Sequence, residues 1–143
     1  DTFVKFLGEI KVTPEDKKAL ESPGKKLKCM IITEDWCGDA LYNVPVLLKL
    51  IEGSPNIETR VFLRDKNPDL MDQYLNKGMF RSIPVFAFFD ENMNEVARLL
   101  ERPPKVTEEL EAKMLEVRKA FRAEKLESWR QAVAGEIRTL LKV

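Results

Sequence analysis

The chain has 143 residues, enough for one domain with a genuine core and too few for two of ordinary size. Hydrophobic residues make up 44% and charged residues 34%, and 24 Lys plus Arg balance 24 Asp plus Glu, so a folded protein is expected, without the basic excess that nucleic acid requires. There is no histidine, which excludes Cys–His and Ser–His nucleophile pairs, and two cysteines supply neither a zinc centre nor a disulfide-stapled scaffold.

Phe3, Val4, Phe6, Leu7 and Ile10 suggest a short amphipathic N-terminal helix. Thr13-Pro14-Glu15-Asp16 reads as a second helix start, with Thr as N-cap, Pro in the first turn and acids at the positive end. That helix is predicted to stop near Ser22-Pro23-Gly24, which makes residues 1–22 a helical extension. Leu27–Thr33 reads as a buried strand. Leu41, Val44, Leu48 and Ile51 then recur at helical spacing up to Gly53, with Pro45 inside as an expected kink. Ile57–Leu63 is a second predicted strand, and Asn67-Pro68 opens a helix running through Tyr74 and Leu75 to Lys77-Gly78. Residues 84–90 and Glu95–Leu100 are predicted to form a hairpin around 91–94.

Over 106–143 the pattern is helical, with Leu110, Met114, Val117, Phe121, Trp129, Val133, Ile137 and Leu140 on one apolar side. The Glu127-Ser128 step and Gly135 predict two C-terminal helices rather than one. Their apolar side is expected to dock on the domain, the alternative being a homodimer or partner surface. Alternating strands and helices followed by a hairpin predict an α/β fold, a central mixed sheet with helices on both faces, as a single domain over 1–143. No apolar run approaches the roughly 18 residues of a membrane span and no signal peptide is visible, so a cytoplasmic location without a membrane partner is expected.

Trp36-Cys37-Gly38-Asp39-Ala40 joins the first predicted strand to the following helix. The free N–H groups and partial positive charge of a helix start stabilise thiolate over thiol, so Cys37 is the candidate nucleophile, expected to be exposed. These residues resemble the thioredoxin superfamily. Trp36-Cys37-Gly38 matches the start of that family's W-C-G-P-C motif, and Pro45 stands eight residues after the cysteine, where thioredoxins carry a proline. Ile83-Pro84 opens the penultimate strand, where the family has its cis-proline, and the likeness spans roughly 27–122. The resemblance implies a thioredoxin-like fold and thiol–disulfide exchange through Cys37, with no bound cofactor and no metal. It further implies that Trp36 and Gly38 shape the contact surface and that Ile83 and Pro84 receive the substrate backbone. The implied substrates are protein disulfides or low-molecular-weight thiol adducts.

The departures from the motif are as informative. Ala40 stands where the resolving cysteine would be, so an external thiol must finish the cycle. Cys29 lies in the middle of the preceding strand, over about 10 Å away at strand geometry, and reads as a small buried hydrophobe. Ile31 occupies the position of the family's buried aspartate, while Glu34 and Asp35 read as solvated loop acids. Asp39 replaces a proline and opposes a neighbouring thiolate, and Arg81 is expected to shift the balance back if the Pro84 loop faces Cys37. The C-G-D-A sequence is not the C-G-F-S of cluster-holding monothiol glutaredoxins. A one-cysteine exchange protein is therefore expected. The alternative is a redox-inactive binding module, which Ala40 and Ile31 favour.

Overall fold

Strand β1 (Leu27–Thr33) turns Cys29 and Ile31 to one face and Met30 and Ile32 to the other, which is why 29–32 reads as a continuous apolar run. A computed structural model describes residues 2–21 and 24–142. The chain separates into two compact units, Asp1–Pro103 and Pro104–Val143.

In the first unit, helices α1 (Thr2–Glu9) and α2 (Pro14–Glu21) precede β1, and α3 (Gly38–Ile51) connects it to β2 (Ile57–Leu63). A single 3-10 turn at Arg64–Lys66 and the short α4 (Pro68–Met71) lead to the hairpin of β3 (Val85–Phe89) and β4 (Glu95–Leu100). The four strands lie in the order β2-β1-β3-β4, with β1 parallel to β2 and antiparallel to β3. A parallel pair requires a crossover, and α3 supplies it. The hairpin turn is fixed by Asp90 Oδ1, which accepts the Asn92 and Asn94 N–H groups at 2.9 Å each.

Two apolar clusters cover the two faces of the sheet. Cys29, Ile31 and Phe86 pack with Ala40, Val44 and Leu47 of α3, with Phe3 of α1 against them. On the opposite face Ile32, Val85 and Ala87 pack with Met71, Tyr74 and Ile83. α1 is held to α3 by an edge-on contact between Phe6 and Tyr42, with ring centroids 5.2 Å apart. Thr13 caps α2 by accepting the Asp16 N–H at 3.1 Å. The predicted end of α2 at Ser22-Pro23 lies outside the described residues.

Two elements differ from expectation. The helix expected from Asn67 to Leu75 is a single turn, Pro68–Met71, followed by turns closed by Gln73 N–H to Leu70 O and Tyr74 N–H to Met71 O. Tyr74 instead serves as a core side chain, tied by its hydroxyl to Glu95 at 3.1 Å.

The second unit is one helix, α5 (Pro104–Leu141), of 38 residues, and none of its residues is buried. Neither expected break occurs. Ser128 Oγ donates to Lys125 O at 3.0 Å and Thr139 Oγ1 to Gly135 O at 3.0 Å, so both hydroxyls are satisfied within the helix. One interior glycine costs only about 1 kcal/mol, which a helix of 38 residues tolerates. Among the described residues no helix is long and apolar enough to cross a membrane.

Ile31 is fully buried at the centre of the α3-facing cluster. Ile31→Ala is expected to lower unfolding stability by about 2–4 kcal/mol, read as a lower urea midpoint with unchanged slope.

Candidate active site

β1 ends at Thr33, and the chain turns through 34–36 with the Cys37 N–H donating to Glu34 O at 3.4 Å. Cys37 keeps extended backbone angles, φ −83° and ψ 119°, and occupies the N-cap of α3. Its own carbonyl accepts the Leu41 N–H at 3.1 Å, the first bond of the helix. The cysteine is thus fixed where N–H groups are unsatisfied and the helix end is positive. Its side chain packs against both apolar clusters and is half-buried rather than freely exposed.

The Ile83–Pro84 peptide bond is cis. Cys37 Sγ lies 3.4 Å from Ile83 O, with the thiol donating. Ile83 and Pro84 bury their side chains, so what Ile83 offers Cys37 is backbone. Gly38 is exposed, and a Cβ added there would meet nothing within 4 Å, so close packing does not demand glycine at that position. Ala40 is buried one turn below Cys37.

Trp36 is 59% exposed, and the Arg64 guanidinium lies over its ring, 4.6 Å from the centroid. Arg64 also donates to Arg81 O at 3.4 Å, which links Trp36 to the segment entering Ile83-Pro84. The Arg81 side chain itself turns to Asp72 in a two-pronged ion pair at 2.7 and 2.8 Å. That guanidinium holds the exposed Asp72 carboxyl below its usual range. The cation on Asp39 is a different one: Arg102 Nη1 donates to Asp39 Oδ2 at 2.9 Å. Glu34, expected as a solvated acid, accepts the Asp65 N–H at 2.8 Å and so anchors the end of β2 beside the site.

Arg64, Arg102 and Asn43 were not singled out from the sequence. Each lies outside the cysteine motif, and a lone arginine after a strand gives no local sign of what it meets. Asn43 had a weak signal, a polar residue inside an otherwise apolar helix. Its amide donates to Asp39 O at 2.8 Å and Glu101 O at 3.1 Å.

Cys29 has a different environment from Cys37. It is 2% exposed, and burial pushes its thiol up to about 12. Both cysteines are free. Among the described residues no group of three or more Cys, Asp or Glu side chains is placed to hold a metal ion.

A strand-to-helix cysteine beside a proline-led strand, on a mixed sheet with helices on both faces, defines a thioredoxin-like protein. A thioredoxin family model matches residues 1–115, and the chain belongs to that family. Membership supports a thiol–disulfide redox role in general. No curated protein matches the chain. Among solved structures, an HIV epitope scaffold is similar at 22% identity and a TM-score of 0.63, over 74% of this chain and 66% of that one. The chain therefore spans slightly less than two thirds of that protein. A Pseudomonas aeruginosa protein of unknown function is similar at 20% identity and a TM-score of 0.66, over 85% of this chain and 74% of its own. A Fasciola hepatica thioredoxin matches at 21% identity and a TM-score of 0.44, over 67% and 88% of the two chains.

Iodoacetamide at pH 8 is expected to label the native protein once, at Cys37, and the denatured protein twice; native labelling of Cys29, read by peptide mass, would contradict its burial. As pH rises above about 8.5, the unfolded Cys29 thiol loses its proton while the folded one keeps it. Unfolding stability is therefore expected to fall in that range.

Proposed function

We propose that the protein carries out thiol–disulfide exchange through a single nucleophilic cysteine, Cys37. Its thiolate attacks one sulfur of a substrate disulfide, forming a mixed disulfide and releasing the other sulfur as a thiolate that takes a proton from solvent. An external thiolate then attacks the substrate sulfur of the mixed disulfide. This regenerates Cys37 and leaves the substrate paired with the incoming thiol. Electrons and protons balance, and the protein ends as it began.

The observation that carries this reading is the placement of Cys37. Its sulfur sits at a helix N-cap, 3.4 Å from the backbone oxygen of Ile83, with a buried alanine where a second thiol would stand. In this reading Trp36 and Gly38 offer the surface around the nucleophile, and the backbone at Ile83-Pro84 receives an extended substrate segment. The substrates are protein disulfides or low-molecular-weight thiol adducts, as suits a protein of a reducing compartment.

One observation favours a redox-inactive binding module. The Cys37 thiol donates to the Ile83 carbonyl, a bond that a thiolate cannot make.

Ala40→Cys separates the two. In an exchange protein lacking only its resolving group, the variant is expected to form a reversible internal disulfide between Cys37 and the introduced thiol, and to reduce a model protein disulfide faster than its parent. A dithiol reductant is supplied to both, and the parent is expected to accumulate mixed disulfide at Cys37. A variant that forms the internal disulfide without gaining reductase activity would make the binding module the better reading.

A further inference from the structure

The motif places a carboxylate where it works against the proposed chemistry. Asp39 is in the first turn of α3, two residues from Cys37, and its negative charge opposes a thiolate there. The structure supplies an opposing device from a distant part of the chain. Glu101 and Arg102 follow β4, and Glu101 adopts a left-handed conformation, φ 63°, which a residue with a Cβ seldom occupies. Every polar group of Glu101 is engaged at this corner. Its N–H donates to Pro84 O at 2.8 Å and its carbonyl accepts Asn43 Nδ2 at 3.1 Å. Its carboxylate accepts Asn76 Nδ2 at 2.9 Å and Arg102 Nη2 at 3.1 Å.

The corner aims Arg102 at the start of α3. Its guanidinium meets Asp39 with side chains only 19% and 31% exposed, so solvent screens this pair less than a surface pair. The cluster of Asp39, Glu101 and Arg102 then carries one net negative charge, against two without the arginine. The two other arginines near the site are committed elsewhere: Arg64 covers Trp36 and pairs with Asp65, and Arg81 pairs with Asp72. Glu34 accepts the Asp65 N–H, and Asp35 is exposed on the turn.

From this geometry we infer that Arg102 is a positioning residue for Cys37: it offsets the charge of Asp39 so that the helix start, not the adjacent carboxylate, governs the thiolate. The Glu101 corner is the bracket that delivers it while tying the Pro84 segment to α3. This deepens the exchange reading and rests on it for its biological use. The test, however, reads only the chemistry of the thiol.

Alkylation of Cys37 by iodoacetamide is measured against pH in the parent protein, R102M, D39N and D39N/R102M. At pH 7, R102M is expected to react about threefold more slowly, its rate profile displaced to higher pH. D39N is expected to react faster than the parent, and the double variant, with the same net cluster charge, to return to the parent rate and profile. A packing role for Arg102 would leave the double variant as slow as R102M; that outcome, or an unchanged R102M, overturns the inference. Should R102M fail to fold, the order D39N faster than double variant, double variant equal to parent, still decides, and any other order overturns it. If these shifts occur in a protein that shows no disulfide exchange, the functional reading fails and the role of Arg102 stands.

Discussion

β1 has a strand on each edge and apolar side chains on each face, and the rest of the first unit is arranged to satisfy all four sides. A strand so placed leaves little exposed surface for polar residues, and Lys28 near its start is its exposed residue. α3 must then return across one face and the Met71–Tyr74 turns across the other, and the C-terminal end of β1 becomes the junction of both halves of the core. Cys37 sits at that junction, touching both clusters. The position of the candidate nucleophile therefore follows from sheet burial before any electrostatic argument is made.

Electrostatics then decides how such a cysteine behaves. The helix start turns its positive end toward the sulfur, whereas the Ile83 carbonyl accepts the thiol hydrogen. Asp39 adds a third influence, and Arg102 a fourth. These influences oppose one another around a half-buried sulfur, so no one of them sets the outcome alone. The arrangement ties these groups together physically, because Asn43 bonds both the Asp39 backbone and the Glu101 backbone, and Glu101 bonds Pro84. Charge balance and loop placement share the same few side chains.

The strands were legible in the sequence because their signals are local. Leu27–Thr33, Ile57–Leu63 and the Asp90 turn each announce themselves within a few residues. The cysteine and its proline were legible through the family motif. What escaped was non-local or a matter of degree. Arg102 meets Asp39 across 63 positions, and Arg64 meets Trp36 from the end of another strand. The helix expected over 67–75 shortens because Tyr74 is needed in the core and tied to Glu95, a tertiary demand that outweighs local helical preference. In α5 the opposite holds: the step at Ser128 and the glycine at 135 look disruptive in sequence, yet the helix runs through both, with the Ser128 and Thr139 hydroxyls bonded to carbonyls inside it.

The replacement of the family's buried acid by Ile31 has a consequence for proton traffic. Among the described residues no charged side chain is fully buried, and Ile31 fills its site without access to solvent. The carboxylates next to Cys37 in the chain, Glu34, Asp35 and Asp39, are instead half-buried or exposed, where solvent also reaches. Proton exchange at this sulfur is then expected to respond to buffer identity and concentration.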